Sequence, residues 1–250
     1  MSVILFVDLL GARSRWQRGG IDTALNAFDH FTRFMIAAAK PDLREVVDGA
    51  IETDASAFVC SNLRVALLIA QRAFLRAFET PKGDQTERLW IRGAIVPSGE
   101  GALRTERSAY GDASNVRIFT YSREFFDAVS VEKSGFRGMR LLVRGGLLTP
   151  AVRKAIAIPV GDRFLVPVKR LRHSTYPSGP AEDLQDFLWM ASSEPADWQH
   201  AERRMSTRFR DSTKDPEEFA QAAATQVLFH EASAIFQSVH YKAHRQQRVV

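Results

Sequence analysis

The order of predicted elements indicates an α+β fold with a central, mainly antiparallel sheet, flanking helices and a C-terminal helical extension. Three observations predict it. The chain opens on an apolar run, VILFVDLL, typical of a strand buried on both faces. Amphipathic stretches then alternate with short β-branched and aromatic runs in the order β-α-β-β-α-β. Finally, residues 181–250 carry helical patterns after a Ser-, Pro- and Gly-rich segment at 171–180.

The first half of the chain predicts four strands and two helices. The strands are expected at 3–11, 43–52, 55–61 and 88–96, and the helices at 22–40 and 62–79. Asp22 or Thr23 would cap the first helix, and Asn62 the second. Two helices packed on one sheet in this order correspond to the ferredoxin-like arrangement.

The second half predicts a third helix, three strands and three further helices. The third helix is expected at 112–129, the strands at 139–143, 157–160 and 163–168, and the last helices at 181–192, 197–210 and 216–244. Because the segment 171–180 has the composition of a linker, we expect a domain over 1–172 and an extension over 181–250.

Composition is that of a soluble globular protein and limits the possible functions. The chain has 250 residues, a net charge of +5 and a single cysteine, Cys60, which excludes internal disulfides and suits a reducing cytosol. No apolar run reaches membrane-spanning length, and the first strand leaves no room for a signal peptide, so a cytoplasmic location is expected. The basic residues are dispersed, which favours a solvated surface over a nucleic-acid site.

Two aspartates are the first candidates for chemistry. Asp8 lies where the first strand opens into a loop, and Asp54 lies in the tight turn between the next two strands. Taken separately, each is a common turn residue, because an Asp side chain can bond the nearby backbone. In the predicted topology the two approach each other, and two carboxylates facing one space require a cation such as Mg²⁺ or Mn²⁺. Gly11 would let the backbone turn and present amides to phosphate oxygens.

Four segments follow one another in the order Asp8–Gly11, Thr53–Asp54, Ile91–Ile95 and Gly111–Asn115, and together they resemble the motifs of class III nucleotide cyclases. The segment Asp8–Gly11 resembles the metal-binding strand of that family, and Thr53–Asp54 the hairpin turn with the second metal aspartate. The segment Ile91–Ile95, followed by Gly99, is similar to the family's Arg-containing strand and glycine turn. Finally, Gly111–Asn115 is similar to the glycine and asparagine that open the transition-state helix. The resemblance covers roughly the first half of the chain and implies the class III cyclase sandwich.

The resemblance implies a site with two divalent ions, Mg²⁺ or Mn²⁺. Asp8, Asp54 and the backbone carbonyl of Leu9 would hold them. The ribose 3′-hydroxyl of a nucleoside triphosphate would attack the α-phosphate and expel pyrophosphate. The β- and γ-phosphates would be bound by the amides of three consecutive residues, Gly11, Ala12 and Arg13.

The resemblance also implies a homodimer with its sites at the interface. The metal aspartates would come from one subunit and Asn115, which would orient the ribose, from the other. The family's transition-state arginine falls on Phe119 in this sequence. Arg92, Arg117 and Arg123 are the candidates to replace it, and we place Arg92 with Asn115 among the catalytic residues.

The base-facing positions indicate a pyrimidine substrate. Adenylate and guanylate cyclases read purines through polar side chains at two positions that correspond here to Ala50 and Ser108. The chain therefore looks most like the bacterial pyrimidine cyclases of the Pycsar antiphage systems, which make cyclic UMP or cyclic CMP to activate a separately encoded effector. UTP and CTP both stay open, with UTP favoured. The alternatives are a degenerate cyclase-like protein that binds nucleotide without turnover and, on charge alone, a nucleic-acid-binding protein.

Overall fold

A computed structural model describes most of the chain. The described residues are 1–52, 54–79, 89–99, 103–110, 113–121, 123–133, 137–156, 165–167, 184–190, 195–212 and 216–247. The strands are β1 Val3–Leu10, β2 Val46–Ile51, β3 Ala55–Cys60, β4 Trp90–Pro97, β5 Leu103–Tyr110, β6 Ala113–Tyr121, β7 Leu141–Arg144, β8 Leu165–Pro167 and β9 Leu184–Phe187. The helices are α1 Ala12–Ala39, α2 Leu63–Glu79, α3 Arg123–Glu132, α4 Pro150–Ile156, α5 Pro195–Asp211 and α6 Pro216–Gln247.

A seven-stranded sheet organises the described part of the chain, in the order β2-β3-β1-β4-β7-β9-β8. Strand β1 lies between β3 and β4 and is antiparallel to both. The first four strands therefore follow the ferredoxin-like order, and the predicted α+β fold is confirmed. Strand β7 extends the sheet parallel to β4, while β5 and β6 form a separate two-stranded sheet.

The two faces of the sheet bury different partners, because successive side chains of a strand point to opposite faces. On β1, the odd-numbered residues from Val3 to Leu9 join a large core with α1 and α2. The even-numbered Ile4 and Phe6 join a smaller core with Ala128 and Val131 of α3. We call the second side the α3 face. It is the face that carries the candidate site.

The C-terminal elements are tied to the large core by polar contacts as well as apolar ones. Met205 of α5 and Phe229 of α6 belong to that core. The buried Arg208 of α5 donates hydrogen bonds to the carbonyls of Leu89 (3.1 Å) and Ala77 (2.6 Å). Such contacts satisfy backbone groups that burial would otherwise leave unpaired. The division of the chain into units 1–172 and 181–250 stays a prediction.

Helix α1 consists of two helical segments separated at Gly20, whose backbone is not helical (φ 74°, ψ −174°). A glycine adopts this positive φ without strain, so the first segment can end there and a second can begin beyond it. The second segment agrees with the helix predicted from residue 22, whereas the segment that begins at Ala12 was not predicted. The strand expected at 43–52 begins at Val46, after a 3₁₀ turn over Lys40–Glu45.

Two predicted helices of the second half were also wrong in part. The helix expected at 112–129 is strand β6 followed by α3, because 113–121 pairs with β5 in a hairpin. Cross-strand pairing outweighs the helical spacing here. Within 181–192 the described residues include strand β9, which pairs with β7 and β8. The strand expected at 157–160 and the linker at 171–180 lie outside the described residues, whereas the helices at 62–79, 197–210 and 216–244 are confirmed.

The described helices and the single cysteine bear on membrane insertion and on thiol reactivity. In the part of the chain that is described, no helix combines the length and the apolar character needed to cross a membrane. Cys60 is fully buried on β3, and its burial raises the pKa of the thiol to about 12. The thiolate, which is the reactive form, is therefore suppressed at neutral pH.

Candidate active site at the end of strand β1

Asp8 lies near the end of β1 on the α3 face. It follows the alternation of Ile4 and Phe6, and its directly paired neighbours are Ala55 on β3 and Arg92 on β4. Residues paired across neighbouring strands share a face, so the Arg92 and Asp8 side chains leave the sheet on the same side. The strand is therefore apolar up to the point where it presents a half-buried carboxylate.

Asp54 lies beside Asp8 because the β2–β3 turn closes against the end of β1. The Leu9 N–H donates to the Asp54 carbonyl at 2.7 Å, and Glu52 N–H donates to the Ala55 carbonyl at 2.8 Å. The N–H and C=O of one residue in an antiparallel strand point to the same side, so the Leu9 carbonyl also faces this turn. The structure thus brings together the three groups predicted to hold metal. Thr53, the other predicted turn residue, lies outside the described residues.

A strand–glycine–helix connection follows Asp8 directly. Gly11 has φ 76° and ψ 16°, a left-handed conformation that disfavours any residue with a Cβ. It precedes Ala12, the first residue of α1, and none of the side chains that the structure describes caps that helix. The uncapped first-turn amides, which include those of Ala12 and Arg13, are the donors that bind anions at helix N-termini.

Arg92 is held by a residue that the sequence analysis missed. Its Nε donates to Oε1 of Glu132, the last residue of α3, and forms a mostly buried ion pair with it. Glu132 is fully buried, and among the described side chains its Oε2 is one of three buried polar atoms without a hydrogen-bond partner. A signal for Glu132 existed in the sequence. It lies on the apolar stripe of its helix, four residues after Ala128, where a carboxylate is unexpected.

The electrostatics of the site centre on Asp8, whose pKa is raised from 3.8 to about 7. Burial is the main cause, because desolvation disfavours the charged form. The negative charges of Glu132 and then Asp54 raise this pKa further, while Arg92 and Lys133 lower it. Negative charge prevails around Asp8, a condition that a bound cation relieves.

The remaining predicted residues occupy different settings. Ala50 is buried on β2 opposite Ala57, a member of the α3-face core, so it shares a face with Asp8. Ser108 lies on β5 and Asn115 on β6, in the separate two-stranded sheet. The expectation that Asn115 opens a helix was wrong, since residues 113–121 form a strand. Arg123 is exposed at the start of α3.

The donor set fits a hard divalent cation. It consists of the Asp8 and Asp54 carboxylates with the Leu9 carbonyl, and oxygen donors of this kind suit Mg²⁺ and Mn²⁺. No group of three or more His, Cys, Asp or Glu side chains placed to hold a metal occurs among the described residues. Mg²⁺ sites commonly use only one or two carboxylates and complete their shell with water and substrate phosphates. The crowded, desolvated Asp8 is the observation that favours a cation here.

Comparisons with known proteins find similarity only at the level of solved structures. No protein-family model matches the chain, and no curated protein matches it. The guanylyl cyclase Cya2 is similar over 78% of this chain and 93% of its own, with 14% identity and a TM-score of 0.47. Two structures of adenylate cyclases from Trypanosoma brucei in their monomeric state are also similar. The first covers 74% of this chain and 87% of its own, with 12% identity and a TM-score of 0.45. The second covers 77% of this chain and 90% of its own, with 13% identity and a TM-score of 0.46. Because all three TM-scores lie below 0.5, we base no conclusion on them.

Proposed function

We propose that this protein is a metal-dependent nucleotide cyclase that converts a pyrimidine nucleoside triphosphate, UTP or CTP, to the 3′,5′-cyclic monophosphate and pyrophosphate. The observation that carries the proposal is the convergence of Asp8, Asp54 and the N-terminus of α1 at the end of β1. Two carboxylates for cations and uncapped amides for phosphates within one short segment suit a metal–triphosphate substrate. The four segments that resemble class III cyclases support the same reaction.

Metal and phosphate binding form the first half of the proposed site. Asp8, Asp54 and the Leu9 carbonyl bind two ions, Mg²⁺ or Mn²⁺. When bound, such ions lower the pKa of the attacking 3′-hydroxyl and stabilise the leaving pyrophosphate. The amides of Gly11, Ala12 and Arg13 bind the β- and γ-phosphates, as helix N-termini bind anions.

Arg92 and Asn115 complete the proposal as catalytic residues. Arg92 leaves the sheet beside Asp8 and would place a permanent positive charge near the reacting phosphate. Asn115 would orient the ribose from the second subunit of a homodimer. The base would lie near Ala50 and Ser108. These small side chains lack the contacts by which purine cyclases select adenine or guanine. The cyclic product would act on a separately encoded effector in antiphage defence, a step supported by the resemblance alone.

A second candidate is a cyclase-like protein that binds a nucleoside triphosphate without turning it over. Two observations favour it. Asn115 lies on a strand rather than at the start of a helix, and Phe119 stands where the family has an arginine. Such a protein would keep the metal and phosphate groups of β1 and α1 while lacking the groups that stabilise the transition state.

The experiment is an incubation of the purified chain with ATP, GTP, CTP and UTP separately in the presence of Mn²⁺, with products resolved by mass spectrometry. A cyclic pyrimidine monophosphate with pyrophosphate, absent in Asp54→Ala, would establish the cyclase and its base. A cyclic purine monophosphate would support the cyclase and reject the pyrimidine assignment. No product from a folded protein that binds a nucleoside triphosphate would favour the second candidate.

A further inference from the structure

The relation between Asp8, Arg92 and Glu132 carries an inference about a residue that has no assigned role. Asp8 and Arg92 are directly paired positions of β1 and β4 and share the α3 face. An arginine beside a half-buried carboxylate ordinarily pairs with it, since charge-assisted hydrogen bonds are strong at such sites. A direct pair with Arg92 would neutralise Asp8 and compete with any cation for its oxygens.

The Arg92 guanidinium instead forms an ion pair with Glu132. Its Nε donates to Glu132 on α3, and Glu132 is fully buried beneath the site. The ion pair is well shielded from solvent, since the Arg92 side chain is 13% exposed and the Glu132 side chain is fully buried.

The geometry of this pair differs from that of two other Arg–carboxylate pairs around β7. In Arg140–Asp186 and in Arg144–Asp127, both Nε and Nη2 donate and both carboxylate oxygens accept. In Arg92–Glu132 the bond from Nε is to Oε1, and Oε2 is buried without a hydrogen-bond partner among the described residues. A pair that served only to anchor a helix to a strand would be expected to satisfy both oxygens, as the other two do.

We propose that Glu132 is a positioning residue, which holds Arg92 by its Nε and so keeps the guanidinium from neutralising Asp8. Asp8 is thereby left to bind a divalent cation, while Arg92 stays on the α3 face. The inference rests on the proposed function, because it assigns Asp8 to a metal ion. It goes beyond that function by giving the metal site a supporting residue on α3.

The test is the affinity for Mn²⁺ alone, measured by titration calorimetry on the full chain without nucleotide. Glu132→Gln keeps the size and one acceptor oxygen but removes the charge that balances Arg92. We expect its dissociation constant for Mn²⁺ to rise about tenfold, the usual effect of losing a group that supports a metal ligand. The double variant Arg92→Met/Glu132→Gln should return to within about threefold of wild type, since the two changes are coupled rather than additive.

Asp127→Asn is the matched control. Asp127 lies on the same helix and pairs with a strand arginine, Arg144, away from Asp8. Its variant should bind Mn²⁺ with wild-type affinity. Equal Mn²⁺ affinity of Glu132→Gln and wild type would overturn the proposal and reduce Glu132 to an anchor. A double variant that binds as weakly as Glu132→Gln would overturn it as well.

A variant that fails to fold would not end the test. If Glu132→Gln shows no cooperative unfolding transition, Arg92→Met replaces it. Because Glu132 already keeps the guanidinium from Asp8 in the wild type, Arg92→Met should bind Mn²⁺ within about threefold of wild type. Binding tighter by about tenfold or more would mean that Arg92 competes for Asp8 in the wild type, and would reject the proposal. A wild-type protein that binds Mn²⁺ but makes no cyclic product would overturn the proposed function alone. One that binds no Mn²⁺ would overturn this inference.

Discussion

Asp8 and Arg92 face each other across β1 and β4, yet the Nε of Arg92 donates to Glu132 on α3. The pKa of Asp8 is raised to about 7, although the cationic Arg92 is directly paired with it in the sheet. Desolvation and two further carboxylates outweigh the arginine. The fold therefore stabilises the ionised Asp8 carboxylate poorly when no cation is bound, as expected of a site that binds a cation during function.

The first prediction concerns Asp54, which is half-buried in the β2–β3 turn. Asp54→Asn retains the backbone carbonyl that accepts from Leu9 but removes the carboxylate charge that we propose binds metal. We expect kcat for cyclisation to fall about a thousandfold, since bound metal supplies several kcal/mol of transition-state stabilisation. Product formation measured by mass spectrometry over time is the assay.

The matched control for this prediction is Asp48→Asn. Asp48 lies on β2, in the same hairpin, and its Oδ1 accepts from the Gly49 N–H at 2.7 Å. This variant should keep its activity. If Asp54→Asn and Asp48→Asn cyclised equally well, Asp54 would have no part in catalysis.

The second prediction is a pH dependence that originates at Asp8. Its pKa is about 7 in the folded protein, against the ordinary value of 3.8 that an unfolded chain would show, so between these values the folded state binds more protons. The free energy of unfolding therefore falls as pH rises from about 4 to about 7. Asp8→Asn removes this pH dependence. The free energy of unfolding of the variant, relative to that of wild type, should therefore increase across that pH range by at most about 4 kcal/mol.

The measurement is urea unfolding at several pH values in buffer with a chelator, so that no metal compensates Asp8. The two proteins should differ least near pH 4, where the Asp8 carboxyl is protonated in the folded state. A difference that stays constant between pH 4 and pH 8 would mean that Asp8 does not titrate with a raised pKa.

The fold and part of the candidate site could be predicted from the sequence, for identifiable reasons. The β1 run, the paired strands around Asp54 and the two amphipathic helices are local patterns, and together they specify the ferredoxin-like order. Asp8 and Asp54 could be predicted as candidates, and as neighbours in the fold, because both lie at the ends of such elements. Glu132 was not predicted as part of the candidate site, because its contact with Arg92 depends on how α3 packs on the sheet. The two residues are 40 positions apart in the chain.

The errors in the second half have the same origin. Helical spacing of apolar residues between 112 and 129 competes with hairpin pairing, and only the pairing with β5 decides between them. Strand β9 is similar. It carries Asp186, a residue unusual in a strand, because Arg140 before β7 supplies a buried partner. Partners distant in sequence decide both cases.

The third prediction concerns stabilisation by metal. At pH 8 without nucleotide, Mn²⁺ at a hundred times its dissociation constant should raise the free energy of unfolding by about 2.7 kcal/mol, provided the unfolded chain binds none. Thermal unfolding with and without Mn²⁺ measures the effect. Asp54→Asn should lose most of the gain and Asp48→Asn should keep it. An equal gain in both variants would place the Mn²⁺ site elsewhere.

The fourth prediction concerns the buried pair Arg140–Asp186. Both side chains are almost fully buried, and the Arg140 Nε donates to Asp186 Oδ1 at 3.0 Å. Asp186→Asn leaves a buried arginine without its counter-charge and should cost about 3 kcal/mol in urea unfolding. Asp127→Asn, which breaks the more exposed pair with Arg144, should cost much less. Similar losses in both variants would mean that burial does not determine the cost.

The last prediction concerns Gly93, which follows Arg92 on β4. A Cβ at this position would lie 2.7 Å from the Phe6 carbonyl oxygen and 3.1 Å from Cδ1 of Leu141. Because the first contact is with backbone, β4 must move away from β1 to admit it. We expect Gly93→Ala to lower the free energy of unfolding by about 1–3 kcal/mol. We also expect a loss of cyclase activity larger than the loss of folded protein, since the shift separates Arg92 from Asp8.

Gly99→Ala is the control, because its Cβ would meet only the end of the Glu124 side chain, at 3.2 Å. Urea unfolding and the cyclase assay on both variants test the prediction, and equal stability of the two would show that β4 accommodates the methyl group without moving.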